Sequence, residues 1–68
     1  MLIVMKPEAT SEEIDAVIGR IEAVGATAHP IYGQKLTVIG AIGDSDVELH
    51  IADLELEGQP GVSEVKSV

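Results

Sequence analysis

Residues 29–44 read HPIYGQKLTVIGAIGD and contain two strand-like runs separated by a short turn. The first run covers residues 26–32, and Pro30 within it cannot donate a ladder hydrogen bond, so we predict an edge strand. Residues 32–35, YGQK, form the predicted turn. Residues 36–42, LTVIGAI, are the longest β-branched run and predict a central strand. A β-hairpin therefore stands at the middle of the predicted fold.

The residues before this hairpin predict a strand followed by an amphipathic helix. The apolar run LIVM, residues 2–5, is predicted to be a buried strand that ends before Pro7. Thr10 and Glu13 have the spacing of a capping box, which predicts a helix start. Gly25 is the predicted left-handed residue that ends this helix. The apolar face of the helix is formed by Ile14, Val17, Ile18, Ile21 and Val24.

The residues after the hairpin repeat the same pattern. Ser45 and Glu48 have the capping spacing again, so we expect a second helix there. Residues 46–57 fit both the spacing of a helix and the alternation of a strand, so periodicity alone leaves both structures open. The capping signal and the glycine and proline that follow this segment favour the helix. Residues 61–68 are the predicted last strand.

The element order strand, helix, strand, strand, helix, strand predicts the ferredoxin-like βαββαβ fold of the α+β class. Right-handed crossovers place both helices on one face of a four-stranded antiparallel sheet. Because alternate residues of the central strand, 36–42, are apolar on both sides, the uncovered face is predicted to be apolar and a candidate for association. Residues 1–68 form one domain, since a chain of this length holds only one small core.

Composition excludes several classes of function. Twelve acidic against four basic residues give a formal net charge of −8, which repels phosphate backbones and anionic membrane surfaces. We therefore predict neither a nucleic-acid nor a membrane partner. The absence of cysteine excludes disulfides and thiolate chemistry and fits a cytoplasmic protein. The opening apolar run is too short for a signal segment or a membrane span.

Few side chains could carry chemistry. His29 and His50 are the only imidazoles, and on residue type alone a structural or solvated role is the more frequent one. Residues 44–46, DSD, lack the glycine and closing glutamate of a calcium loop, so we predict no metal site. No phosphate-binding glycine motif and no activated nucleophile is recognisable, so we predict no cofactor and no catalytic residue. Arg20 lies on the polar side of its helix, which argues against acyl-phosphate hydrolysis.

Several short motifs carry a family resemblance. They are MKP at 5–7, TxEEI at 10–14, His29, Gly33, TVIG at 37–40, IGD at 42–44, PGV at 60–62 and EV at 64–65. In these motifs the chain resembles the N-terminal regulatory domain of one type of 3-deoxy-arabino-heptulosonate 7-phosphate (DAHP) synthase, the first enzyme of the shikimate pathway. The resemblance covers most of the chain and is weakest over residues 45–55.

The resemblance implies a ferredoxin-like, ACT-like domain without catalytic residues, which precedes a catalytic (β/α)8 barrel absent from this chain. It implies that tyrosine or phenylalanine binds between two such domains and that the paired domains obstruct the active site of the barrel. The effector-binding residues it implies are His29, Ile31, Tyr32 and Gly33, with His29 matching a histidine that contacts the effector. A homo-oligomer formed through this domain follows from the same comparison.

Two departures from the family pattern favour an alternative, a ligand-free association module of the same fold. Ile31 stands where the pattern has a serine, and Leu36 where it has an arginine. The chain also ends at Val68, before the barrel, so we expect an excised domain, an engineered variant or a free-standing relative, without synthase activity. A small enzyme is the third hypothesis, and the absence of a recognisable nucleophile or anion site places it well below the other two.

Overall fold

Four strands and two helices follow one another in the predicted order. The computed structural model describes residues 1–67. The elements are β1 (Leu2–Met5), α1 (Ser11–Ala23), β2 (Thr27–Tyr32), β3 (Thr37–Ile42), α2 (Ser45–Asp53) and β4 (Val62–Lys66), with a short 3₁₀ helix at Leu56–Gly58. All the strand pairings are antiparallel, and the sheet order is β2-β3-β1-β4. The predicted ferredoxin-like α+β fold is confirmed, while Val68, the last residue of the predicted final strand, lies outside the described residues.

The central hairpin forms as predicted, with its turn displaced by one residue. β2 lies at the edge of the sheet, and β3 lies between β2 and β1. Tyr32 still pairs with Thr37, so it belongs to β2 and not to the turn. The turn is formed by residues 33–36, and the Gly33 amide donates to the Leu36 carbonyl oxygen at 3.0 Å.

The ends of α1 are fixed by local hydrogen bonds. The Glu13 amide donates to Thr10 Oγ1 at 3.2 Å, and the Thr10 amide donates to Glu13 Oε1 at 2.9 Å, so the predicted capping box is present. Gly25 has a φ of 89°, a left-handed value at which a side chain would be strained. The Gly25 amide donates a hydrogen bond to the Glu22 carbonyl oxygen at 3.0 Å, and the Ala26 amide donates one to the Ile21 carbonyl oxygen at 3.3 Å.

The start of α2 differs by one residue from the prediction. The cap is Asp44, whose Oδ1 accepts a hydrogen bond from the Val47 amide at 3.0 Å, and Ser45 is the first helical residue. Both residue types cap helices well, and the extended backbone at Asp44 decides between them. Of the two structures left open for residues 46–57, helix or strand, the helix forms and extends to Asp53. The apolar residues that face the core follow a helical period.

The core lies between the helices and one face of the sheet, and its side chains are almost entirely aliphatic. Side chains with at most 2% of their surface exposed are Ile3, Met5, Val17, Ile21, Ile39, Ala41, Ile51 and Leu56. Within the sheet these residues alternate with more exposed ones, so the helices cover one face only. In the part of the chain that the structure describes, no helix is long and apolar enough to cross a bilayer.

Gly19 gives a test of the exposed side of α1. It lies in the helix interior, and a Cβ added there would have no atom within 4 Å. We expect Gly19→Ala to raise the free energy of unfolding by about 0.5–1 kcal/mol, because alanine loses less backbone entropy in a helix. Urea denaturation followed by circular dichroism measures this change.

The matched control is Gly61→Ala, which should lower stability. Gly61 has a φ of +86°, and its added Cβ would lie 2.9 Å from Glu13 Oε1. A loss of stability in Gly19→Ala would contradict the exposed position assigned to this side of α1.

Candidate functional site

The uncovered side of the sheet, which we call the open face, carries alternate residues of all four strands. Strand register places side chains of neighbouring strands opposite one another in two rows. The first row contains His29, Gly40, Leu2 and Lys66, and the second contains Ile31, Val38, Val4 and Glu64. Thr27 and Ile42 pair beyond the first row. The open face is therefore apolar at its centre and polar at its β4 edge.

His29 and Gly40 form the most distinctive part of the open face. They are directly paired between β2 and β3, and Gly40 is also paired with Leu2 of β1. A Cβ built on Gly40 would lie 3.7 Å from the His29 carbonyl oxygen and 3.8 Å from His29 Cβ, which are ordinary contact distances. The missing side chain thus leaves a depression with a backbone floor. The imidazole of His29 lies at one side of it and Leu2 at the other.

The structure separates the four predicted effector residues. His29 and Ile31 are both on the open face, and 64% of the Ile31 side chain is exposed. Tyr32 pairs with Thr37, which is buried on the helix side of the sheet, so Tyr32 lies on the opposite face from His29. It is nevertheless 67% exposed, because β2 is an edge strand. The role of these residues toward an effector stays a prediction.

Gly33 has a local structural reason to be glycine. It opens the hairpin turn, and a Cβ built on it would lie 2.8 Å from the Leu36 carbonyl oxygen. This distance is too short for a side chain without a shift of the turn. The glycine therefore shapes the hairpin end, and its sequence motif is explained without a ligand. Leu36, next to the turn, is 37% exposed.

The predicted site residues did not include those that β1 and β3 contribute to the open face. These are Leu2, Val4, Val38 and Gly40. Strand alternation places Val38 and Gly40 on one face of β3, and that signal was readable from the sequence. Their position beside His29 depends on the register between β2 and β3.

Charge is distributed unevenly between the two sides of the molecule. Glu64 is the one acidic residue among the described strands, and its Oε1 lies 3.5 Å from Lys66 Nζ. The remaining acidic residues lie on the helices and their connections, as expected for a solvated helix layer. Among residues 1–67 no group of three His, Asp or Glu side chains could hold a metal ion.

A groove on the helix side has no connection with this face. It measures about 170 Å³ and lies between α1 and the segment before β4, lined by Glu12, Glu13, Ala16, Val17, Gln59 and Pro60. Its lining is mostly apolar, with two carboxylates at the rim, and contains no imidazole. The position left open by Gly40 combines a hydrogen-bonding ring with backbone and apolar neighbours. The open face is therefore the candidate functional site.

Comparison with known families agrees with the motifs and the fold. Residues 1–68 match the family model described as the DAHP synthase ferredoxin-like domain. The chain belongs to this family. A curated relative from Thermotoga maritima, named phospho-2-dehydro-3-deoxyheptonate aldolase, is 43% identical to this chain over 44 residues. The matched stretch covers 65% of this chain and 13% of the relative. This ferredoxin-like domain thus corresponds to a small part of that relative.

Proposed function

We propose that this chain is the amino-acid-sensing regulatory domain of a cytoplasmic DAHP synthase. In this proposal it binds tyrosine or phenylalanine between two copies of the open face and thereby inhibits a catalytic (β/α)8 barrel outside the chain. The domain supplies no catalytic group itself. The observation that carries the proposal is the depression at Gly40 with His29 beside it, on an otherwise apolar and uncovered face.

The chemistry of this depression fits an aromatic amino acid. A neutral imidazole offers one hydrogen-bond donor and one acceptor, so His29 can bind the polar end of the effector. The flat ring of the effector can lie on the Gly40 backbone, where no side chain holds it away. Leu2 and Val38 supply apolar neighbours on the adjacent positions. A second copy placed over this face would remove the bound ring from water.

The size of the open face favours pairing that depends on a ligand. Four strands at about 4.8 Å spacing and five residues at about 3.3 Å rise give a face of roughly 19 by 17 Å. Stable interfaces bury on the order of 800 Å² on each partner, which is more than a face of this size provides. Pairing should therefore be weak in the free domain, and an effector that binds the pair more tightly shifts the equilibrium toward it.

The second candidate function is a ligand-free association module. Ile31 and Ile42 favour it, because they are 64% and 60% exposed and would gain by burial between two copies without any ligand. The apolar side chain at position 31 also removes a hydroxyl that the family pattern places beside the histidine. The two functions predict different responses to added amino acids.

A titration separates them. The domain is titrated with tyrosine, phenylalanine and tryptophan while amide chemical shifts and sedimentation are recorded. Saturable shifts at His29 and Gly40, with stabilisation of the dimer by one of these amino acids, would support sensing. Concentration-dependent pairing that is indifferent to all three would leave only the association module. A chain that stays monomeric throughout would contradict both functions.

His29→Ala tests the role of the imidazole. We expect effector affinity to fall by about tenfold or more, because loss of a ligand hydrogen bond costs on the order of 1–3 kcal/mol. The free energy of unfolding should change by less than about 0.5 kcal/mol, since the His29 side chain is exposed. Effector titration by amide shifts and urea denaturation measure the two quantities.

His50→Ala is the matched control, because His50 is exposed on α2, in the helix layer. It should leave effector affinity unchanged. If His29→Ala instead unfolds the domain, His29 has a structural role and the assignment to effector binding fails.

A further inference from the structure

The open face has a charge pattern that can complement itself. Lys66 and Glu64 are two residues apart on β4, and both project from the open face at its edge. They lie in different rows, because Lys66 is aligned with Leu2 and Glu64 with Val4. The two rows are separated by roughly 7 Å along the strands, the distance between alternate strand residues. One edge therefore carries a positive charge in one row and a negative charge in the next.

The chain has a formal net charge of −8, so two copies repel each other unless they meet through surfaces of low net charge. The helix side, which carries most of the carboxylates, repels its own copy. On the open face Glu64 is balanced by Lys66, and their side chains are 53% and 59% exposed. The face is thus close to neutral and is apolar over β3 and β1, and the two long charged side chains are exposed enough to reach across to a partner.

With the strands of the two sheets aligned, two directions of the axis place one open face on another with two-fold symmetry. In the first, the axis runs along the strands, so that β4 lies over the partner's β2. Lys66 then faces the partner's His29, and Glu64 faces the partner's Ile31. This arrangement buries a carboxylate against an apolar side chain and leaves the positive charge without a negative partner, both of which are unfavourable.

In the second arrangement the axis lies across the strands, midway between the two rows. It exchanges the rows and places β4 over the partner's β4. Lys66 then faces the partner's Glu64, and the same contact occurs twice because the interface is isologous. Leu2 faces the partner's Val4, so the apolar side chains of β1 meet each other, while the uncharged contact at β2 is between His29 and the partner's Ile31. Aligned packing of two sheets allows this geometry.

We propose that two copies of this chain pair through their open faces about a two-fold axis across the strands, with Lys66 of each copy bound to Glu64 of the other. The intrachain ion pair of the free domain is exchanged for two reciprocal ion pairs at the edge of the interface. They fix the register of pairing and place the two Gly40 depressions inside the interface. This inference rests on the proposed function, because the paired state is the one that the effector would stabilise.

Charge reversal tests the arrangement directly. In Glu64→Lys two lysines face two lysines of the partner, and in Lys66→Glu two glutamates face two glutamates. We expect either variant alone to pair about tenfold or more weakly than the parent chain, since like charges meet at both edges of the symmetric interface. Mixing the two variants in equal amounts should restore pairing as a heterodimer. Sedimentation equilibrium and native mass spectrometry, at low salt and with saturating effector, measure the species present.

Two controls separate geometry from net charge. Glu57→Lys makes the same change in net charge on the helix side and should not weaken pairing. The double variant Glu64→Lys/Lys66→Glu should pair with itself as the parent does, but should not form heterodimers with the parent, because like charges then face each other.

The outcomes distinguish this inference from the proposed function. If the parent pairs with effector and the mixed variants do not recover pairing, the axis across the strands is wrong while sensing stands. If both single variants pair as tightly as the parent does, the proposal that Lys66 of each copy binds Glu64 of the other is wrong. A parent that does not pair at any effector concentration overturns the proposed function and this arrangement together.

Discussion

Replacing Ile39 by alanine should lower the free energy of unfolding by about 2–5 kcal/mol, enough to unfold a large fraction of so small a domain. Ile39 lies in the central strand β3 and has 0% of its side-chain surface exposed. It pairs with Ile3 of β1, which is also fully buried, so the cavity would open in the middle of the core. The aliphatic neighbours offer no large flexible ring that could fill it.

The neighbouring residue provides the control. Val38 lies on the open face and is only partly buried, so Val38→Ala removes apolar surface without creating an internal cavity. We expect it to cost less than about 1 kcal/mol of stability. Urea denaturation followed by circular dichroism compares the two variants under one condition. Equal losses of stability in the two would contradict the assignment of a covered and an open face to β3.

Replacing Gly40 by valine should weaken effector binding strongly while the domain stays folded. An added Cβ meets its nearest atoms at 3.7 and 3.8 Å, so a β-carbon fits at this position without displacing the backbone. Valine also suits a central strand. Its two methyl groups would occupy the depression beside His29, where the effector ring is proposed to lie. We expect affinity to fall by about tenfold or more, the factor that corresponds to about 1.4 kcal/mol.

Amide-shift titration with the effector measures the affinity, and urea denaturation measures the stability of the same samples. Gly40→Ala should give an intermediate loss, because one methyl group fills only part of the depression. Gly19→Ala adds a methyl group remote from the face and should leave affinity unchanged. Pairing of the ligand-free variant is followed separately by sedimentation. Unchanged effector affinity in Gly40→Val would remove the depression from the proposed site.

Ile39 and Gly40 are neighbours in β3, yet the first is expected to affect stability and the second effector binding. Successive side chains of a strand point to opposite faces. Ile39 therefore faces the helices, and Gly40 faces away from them. Apolar residues on both sides of β3 were readable from the sequence, and they predicted an uncovered apolar face before the arrangement of the strands was known. The structure adds that the apolar character of this face is concentrated on β3 and β1 and that the charges lie at β4.

Departures from the predicted element ends have local causes. The hairpin turn begins at Gly33 because Tyr32 still finds a partner in Thr37. The second helix begins one residue earlier than the Ser45 cap implied, because Asp44 offers a better placed carboxylate to the Val47 amide. In both cases the boundary could fall at either of two neighbouring residues, and a hydrogen bond or a strand pairing in the folded chain fixes its position.

The sequence by itself determined the order of the elements, the capping box of α1 and the aliphatic core, because these depend on residues close together in the chain. It also determined that residues 29–44 form a hairpin with an edge strand and a central strand. The tertiary structure alone decided which side chains share the open face. It separated Tyr32 from His29, placed Gly40 and Leu2 beside His29, and brought Lys66 into the same row. The physical reason is register, since pairing between strands that are distant in the chain is fixed by burial of one face and not by local sequence.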